Sequence, residues 1–184
     1  MIFLIRHGET VAGAGLAIGA SDPPLSARGR AQAEALALEL SLRRLTHVFS
    51  SDLSRALQTA SIIAAEHHLP VEATSLLREI DFGSWEGRPL SDLWLEEPAA
   101  AERWERDIRL TPPGFGETLD DVERRARTFW NEIRPWYAGA EIAVVAHRGS
   151  LAVLRAVITG LPVAATFAEP LEVGSLVRLE ATAG

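Results

Sequence analysis

Two short segments of this chain share one grammar: an apolar run, then a histidine, then a glycine within two residues. One is Ile5-Arg6-His7-Gly8; the other is Val145-Ala146-His147-Arg148-Gly149. Histidine exchanges its charge near neutral pH, and its neutral ring can act as a nucleophile or carry a proton. Arginine presents a planar fork of donors that suits phosphate oxygens. Arg6 adjoins His7, and Arg55 stands in Ser51-Asp52-Leu53-Ser54-Arg55-Ala56. Singly, each of these residues is more often structural or solvated. Gathered at one place, two histidines and two arginines make a positive site for an anion, and phosphoryl chemistry is what such a site does well.

The elements around them decide whether they can meet. Ile2 to Ile5 is a continuous apolar run, the pattern of a strand buried on both faces. A Gly/Ala loop follows and closes on Asp22-Pro23-Pro24. Ser26 reads as the N-cap of a helix with Ala33, Leu36, Ala37 and Leu40 on its buried side. Val48-Phe49 suggests a second short strand. Ser50, Ser51 and Asp52 offer caps for a helix striped by Leu53, Ala56, Leu57, Ala60, Ile63 and Ala64. Leu69-Pro70-Val71 ends it and leads toward a third strand. Thr118, with Asp121 three residues on, predicts a near capping box for a helix lined by Leu119, Val122, Ala126, Phe129, Trp130 and Ile133. Ile142 to Ala146 is another all-apolar strand, followed by a helix from about Ser150 to Thr159 that Gly160 and Pro162 stop. Leu176 to Leu179 reads as a last strand.

Strands alternating with helices predict an α/β fold: a three-layer sandwich with a mostly parallel central sheet and helices on both faces. We expect one domain over 1–184, with a small helical and loop excursion at about 85–115 over the site. That region holds Trp85, Trp94 and Trp104, and it carries the breaker Thr111-Pro112-Pro113-Gly114. In such a sheet, ligands bind beyond the carboxyl ends of the strands. Both histidines are therefore expected at one rim, with the neighbouring glycines letting backbone approach a ligand. The helix after His147 would point its first amides at an anion.

The 184 residues suffice for a substantial core. A net charge of −7 argues against a nucleic-acid surface, which needs a basic face; a local field would draw the anion instead. With no cysteine, disulfides, iron–sulfur clusters and thiolate-bound zinc are excluded. His67-His68 lacks the spacing of a helical metal pair. The first apolar run is too short for a signal-peptide core, and no stretch has the length of a membrane span, so the expectation is a cytoplasmic protein without a membrane partner.

Five segments, in order, resemble the histidine phosphatase superfamily, also called phosphoglycerate mutase-like. They are Leu4-Ile5-Arg6-His7-Gly8-Glu9-Thr10, Asp22-Pro23-Pro24-Leu25-Ser26-Ala27-Arg28-Gly29, Ser50 to Ala60 around Arg55, Leu77-Arg78-Glu79-Ile80-Asp81-Phe82-Gly83-Ser84-Trp85-Glu86-Gly87, and Val144-Val145-Ala146-His147-Arg148-Gly149. The resemblance implies phosphomonoester hydrolysis through a phosphohistidine on His7. Glu79 would protonate the leaving oxygen and then deprotonate water. Arg6, Arg55, His147 and the Arg148 backbone amide would hold phosphoryl oxygens. It implies no metal and no cofactor; the partners are phosphate and a small phosphorylated metabolite. Glu9, Asp81 and Glu86 compete with Glu79 by position, and the motif selects Glu79.

The sequence departs from the family in three places. Gly13 stands about where mutases often carry Asn, Arg148 follows His147 where Gly is common, and the insertion between Glu79 and His147 is short. The Arg148 side chain either points away or adds a cation. The short insertion favours water as acceptor, hence phosphatase over the alternative of a phosphoglycerate mutase-type isomerase. A third alternative is an inactive phosphate-binding scaffold. Asp81 to Pro89 and Pro112 to Thr118 resemble the alpha-ribazole phosphatase branch, and alpha-ribazole 5'-phosphate is a candidate substrate. Trp85, Trp94, Trp104 and Phe115 are then either plain core or a platform for a heteroaromatic base. Arg103, Arg106 and Arg109 read as a solvated face.

Overall fold

The computed structural model describes residues 1–109, 113–136 and 139–180. Thr111 and Pro112, half of the breaker anticipated above, lie outside the described residues.

Five strands form one sheet in the order β3-β2-β4-β1-β5, with β1 Ile2–Arg6, β2 Leu45–Ser51, β3 Val71–Thr74, β4 Glu141–Ala146 and β5 Leu176–Leu179. The first four pair in parallel and β5 closes the edge antiparallel to β1. The helices are α1 Ala27–Leu40, α2 Ser54–Glu66, α3 Leu90–Glu96, α4 Pro98–Arg106, α5 Leu119–Ile133, α6 Arg148–Thr159 and α7 Val163–Ala168.

Alternation along β1 shows why its four apolar residues are all buried. Phe3 and Ile5 pack with Leu36, Ala37 and Leu40 of α1 and Ala56, Ala60 and Ile63 of α2. Ile2 and Leu4 face the opposite way, onto Val122, Ala126 and Phe129 of α5 and Leu151 and Leu154 of α6. Successive side chains of a strand point to opposite faces, so a strand with helices on both sides must be apolar throughout. This is the three-layer α/β sandwich that the sequence predicts.

The layers also fix the ligand crevice. α1, which follows β1, lies on one face, and α6, which follows β4, lies on the other. β1 and β4 are neighbours. Chain leaving adjacent parallel strands in opposite directions opens a gap at their carboxyl ends.

Several boundaries differ from the sequence reading. β2 runs over Leu45–Ser51, beyond the Val48-Phe49 pair. It lies inside the sheet, and Ser50 and Ser51 are tolerated there because Ser50 Oγ donates to the Ser51 carbonyl and Ser51 Oγ accepts from the Leu53 amide. Neither Ser50, Ser51 nor Asp52 caps α2. Its N-cap is Leu53, and the capping oxygens come from Asp22, which accepts from the Ser54 amide and hydroxyl at 2.7 Å each. α6 begins at Arg148, two residues earlier than expected, which makes His147 its N-cap. Within the 85–115 excursion the helical parts include α3 and α4. The reciprocal Thr118–Asp121 capping box and the Ser26 cap are present.

Gly8 and Gly29 let the His7 loop lie directly on α1. A Cβ on Gly29 would sit 2.0 Å from the Glu9 carbonyl oxygen, and one on Gly8 2.3 Å from that of Gly29. Replacing Gly29 by Ala gains up to ~1 kcal/mol of helix propensity. A carbon that close to backbone forces loop and helix apart, and overpacking of this kind costs about 1–3 kcal/mol. Gly29→Ala should therefore be less stable than wild type in urea unfolding; equal or greater stability would contradict this packing.

Candidate active site

Register brings the two histidines together. Arg6 pairs with Ala146, so His7 and His147 are the next residues on adjacent parallel strands. Their ring centroids are 5.0 Å apart, close to the usual interstrand spacing. Ser50 of β2 pairs with Val145, so β2 ends on the same rim and α2 brings Arg55 to it. His7, His147 and Arg55 are all buried.

Hydrogen bonds set the tautomers. His7 Nδ1 lies 2.7 Å from the Gly8 carbonyl oxygen, which can only accept; Nδ1 therefore carries the proton and Nε2 holds the free lone pair. Arg55 Nε, which can only donate, reaches His147 Nδ1 at 3.1 Å. His147 consequently holds its proton on Nε2. That atom is buried without a hydrogen-bond partner among the described residues, as is Arg6 Nε. His67 Nε2, Trp104 Nε1 and Arg155 Nε are likewise buried without a partner among the described residues, but only the His147 and Arg6 groups adjoin His7.

Burial is the main reason that both rings are neutral. It pushes His7 down to about 3, with Arg55 and Arg6 adding to the effect against the Gly8 hydrogen bond. It holds His147 well below its ordinary value, helped by His7 and Arg55. The guanidinium values of Arg6 and Arg55 are also lowered by burial, and Glu79 is the foremost charge working the other way on each.

The two arginines are anchored by carbonyls. Arg6 Nη1 donates to Leu171 at 2.8 Å. Arg55 Nη1 and Nη2 donate to Ser21 at 2.6 Å and Gly19 at 2.8 Å. One N–H on each Arg55 Nη is thereby left over for another acceptor.

Glu79 sits at the start of α6. Its Oε2 accepts from the Gly149 amide at 3.0 Å, and its Oε1 from Ser150 at 3.1 Å and Ile80 at 3.0 Å. This corrects two expectations. The α6 amides at Gly149 and Ser150 serve this carboxylate, not an external anion, which leaves the Arg148 amide ahead of them. The glycines make room for protein groups: a Cβ on Gly149 would stand 2.6 Å from Glu79 Oε1. The Arg148 side chain is exposed, yet it lines a cavity of about 240 Å3 together with Glu79, and its charge acts on Arg6.

The rival carboxylates are engaged elsewhere. Glu9 accepts from the Ser26 hydroxyl, Asp81 from the Gly83 amide, and Glu86 from a loop at 19–21. Trp85 is buried core, edge-on to Trp104, with its indole N–H on Glu97; Phe115 is 95% exposed. Trp104 and Trp94 do line hollows beside the site. Arg109 is paired with Asp120 and Glu123, so the Arg103, Arg106 and Arg109 face is only partly a solvated one.

Two supports escaped the sequence reading. Thr59 Oγ1 accepts from the Gly8 amide at 3.1 Å and donates to the Arg55 carbonyl at 2.9 Å, tying the His7 loop to α2. A lone polar residue in the α2 apolar stripe, one turn from Arg55, was its signal. Arg125 donates to the carbonyls of Leu76 and Glu79 and to Glu117, which in turn accepts from the Asp81 amide. No local pattern marks that clamp; Glu117, expected only to start a helix, belongs to it.

A family model described as histidine phosphatase superfamily (branch 1) matches residues 2–184. The chain belongs to this superfamily. Among curated members, it is 38% identical over 166 residues to a protein of Yersinia enterocolitica named probable phosphoglycerate mutase GpmB, covering 88% of this chain and 75% of that one. It is 35% identical over 162 residues to the adenosylcobalamin/alpha-ribazole phosphatase of Escherichia coli K12, covering 88% and 80%. Among solved structures, it superimposes on a mycobacterial glucosyl-3-phosphoglycerate phosphatase in complex with VO3, with a TM-score of 0.85 and 32% identity over 95% of this chain and 90% of that one. Among the described residues of this histidine phosphatase, no helix is long and apolar enough to cross a membrane.

Neutral burial of His7 predicts a pH effect on folding. The unfolded ring takes a proton near pH 6.5, whereas the folded one stays neutral down to about pH 3. Below pH 6.5 the unfolded chain binds the extra proton, so stability falls as pH drops from about 6.5 toward 3, by up to about 1.4 kcal/mol per pH unit for one such group. Urea midpoints should decline across this window more steeply in wild type than in His7→Asn; parallel curves would contradict a buried neutral His7.

Proposed function

We propose that this chain hydrolyses phosphate monoesters in two steps through a phosphohistidine on His7. Family membership supports phosphatase activity. The observation that carries the finer reading is the tautomer pair: a free lone pair on His7 Nε2 in a ring 5.0 Å from that of His147, whose Nε2–H, like Arg6 Nε–H, is buried without an acceptor among the described residues.

In the first step, His7 Nε2 attacks phosphorus and the bond from phosphorus to the ester oxygen breaks. A proton taken up with the substrate dianion, whose charge opposes that of the carboxylate, sits on Glu79, and Glu79 gives it to that oxygen, releasing the alcohol. In the second, water attacks the phosphohistidine, the P–N bond breaks, and Glu79 takes the water's proton. Oε2, which accepts from one amide where Oε1 accepts from two, is the oxygen with room for the proton. Arg6, Arg55, His147 Nε2–H and the Arg148 amide hold the three phosphoryl oxygens. Fixed, buried donors and cations supply the charge that a metal supplies elsewhere, so the reading is metal-independent. The buried nucleophile needs no deprotonation before attack.

The alcohol occupies the 240 Å3 cavity bordered by Glu79, Phe82, Trp104, Ile108, Arg148 and Phe167. A larger hollow of about 460 Å3 shares Trp104, Ile108, Leu119 and Phe167 with it as lining residues. Apolar and aromatic walls favour an alcohol with an apolar or aromatic body. Alpha-ribazole 5'-phosphate fits that description, and a curated relative is named for it. The relative named as a mutase keeps phosphoglycerate transfer as the rival reading.

His7→Ala should lose about 10³-fold or more in kcat/KM for an aryl phosphate, the scale on which removing a nucleophile acts. Wild type should release stoichiometric inorganic phosphate and prefer alpha-ribazole 5'-phosphate to ribose 5-phosphate. Interconversion of 2- and 3-phosphoglycerate without net phosphate release would establish the isomerase instead. Phosphate binding without turnover of any ester would establish the inactive scaffold. Equal rates on the two ribosyl substrates would remove the alpha-ribazole assignment alone.

A further inference from the structure

Glu86 lies outside the reacting groups, yet its carboxylate is among the most heavily bonded in the molecule. Oε1 accepts from the amides of Gly19 at 3.1 Å, Ala20 at 2.8 Å and Phe82 at 3.0 Å. Oε2 accepts from the Ser21 amide at 3.1 Å and the Ser21 hydroxyl at 2.6 Å, and shares the Gly19 amide at 3.2 Å. Three successive amides thus converge on one anion, the arrangement in which a loop's backbone forms a nest. The approach is close: a Cβ on Gly19 would stand 2.6 Å from Oε1 and 1.9 Å from the Ile80 carbonyl oxygen.

The other side of the same three residues does something different. The carbonyls of Gly19 and Ser21 accept from Arg55 Nη2 and Nη1, Arg55 Nε donates to His147 Nδ1, and Asp22 stands 4.0 Å from Nη1 as an ion-pair partner. Amides turned toward Glu86 and carbonyls turned toward Arg55 are two faces of one loop. The loop is otherwise held to the 83–89 segment by backbone bonds, Gly87 to Ala17 and Ala17 to Arg88. Apart from those to Arg55, the hydrogen bonds of Gly19, Ala20 and Ser21 among the described residues go to Glu86, so the anion that collects the three amides also sets where the Gly19 and Ser21 carbonyls point.

We propose that Glu86 is a positioning residue, which shapes the Gly19–Ser21 loop so that its carbonyls aim the Arg55 guanidinium and, through Arg55 Nε, hold the tautomer of His147. The proposal rests on the reading above that Arg55 and His147 bind the phosphoryl group. Two further observations agree with it. Burial of Glu86 works to raise its carboxyl value, but the hydrogen bonds from Ser21, Phe82 and Ala20 outweigh it and the net direction is down, so the anion is the form the loop is built around. Glu86 is also among the charges favouring the Arg55 cation. A neutral Gln of the same shape would keep one acceptor and turn an NH2 group toward amide donors.

The test is a double-mutant cycle in the full 184-residue chain: Glu86→Gln, Arg55→Lys and both together. The readouts are kcat/KM for an aryl phosphate and the inhibition constant for vanadate, with thermal unfolding to confirm folding. Glu86→Gln alone should lose about tenfold or more in both, whereas in the Arg55→Lys background its further loss should shrink to within about threefold, because residues acting through one another are non-additive. The ¹⁵N shifts of His147 should move from an Nε2–H ring toward a mixture of tautomers in Glu86→Gln. Undiminished vanadate affinity in Glu86→Gln, or a loss that multiplies unchanged in the Arg55→Lys background, would overturn the proposal. If Glu86→Gln does not fold, Ser21→Ala, which removes only the 2.6 Å hydroxyl bond, replaces it. A several-fold loss that vanishes with Arg55→Lys supports the proposal, and no loss or an additive one refutes it. A wild-type result for Arg55→Lys alone would sink the phosphate-site reading itself, a different failure.

Discussion

The hydrogen bond from His7 Nδ1–H to the Gly8 carbonyl decides what this site can do. A carbonyl cannot donate, so the ring must spend its proton there and present Nε2 as a lone pair. Burial then keeps that lone pair from being protonated at any ordinary pH. The backbone geometry that places the Gly8 carbonyl depends in turn on the Gly8–Gly29 approach and on Thr59, which accepts from the Gly8 amide. The protonation state of the ring is thus written in the packing of a loop on α1.

The same logic runs through His147 with the sign of the partner reversed. There a donor, Arg55 Nε, occupies Nδ1 and sends the proton to Nε2. Two chemically identical rings, one interstrand spacing apart, become an acceptor and a donor. Keeping two guanidiniums in a buried crevice is unfavourable unless their donors and charge are met. Carbonyls of Leu171, Gly19 and Ser21 meet part of this, and Glu79 supplies the opposing charge. The remaining N–H groups are where a phosphoryl dianion gains most.

The sheet and the meeting of His7, His147 and Arg55 at one rim were legible because their signals are local. An all-apolar strand ending in histidine is visible in five or six residues, and the pairing Arg6 with Ala146 follows once both strands are seen. What was not legible is long-range. The anion for the α6 amides is Glu79, about seventy positions away; the cap of α2 is Asp22; and the loop that holds Arg55 is shaped by Glu86. Each is a carboxylate that satisfies backbone amides, and backbone amides leave no mark in a sequence. The tryptophans stayed open between core and platform for a related reason. Trp85 and Trp104 have the same chemistry in the one-letter string, yet one is core and the other borders the cavity.

The central claim is that His7 carries the phosphoryl group on Nε2. Rapid mixing with an aryl phosphate and quenching in alkali, followed by ³¹P–¹⁵N NMR or mass spectrometry of the labelled protein, reads the phosphorylated atom directly. This account predicts a phosphoryl group on His7, bonded to Nε2, that disappears as inorganic phosphate forms. A phosphoryl group on His7 Nδ1, on His147 or on any other side chain would contradict it.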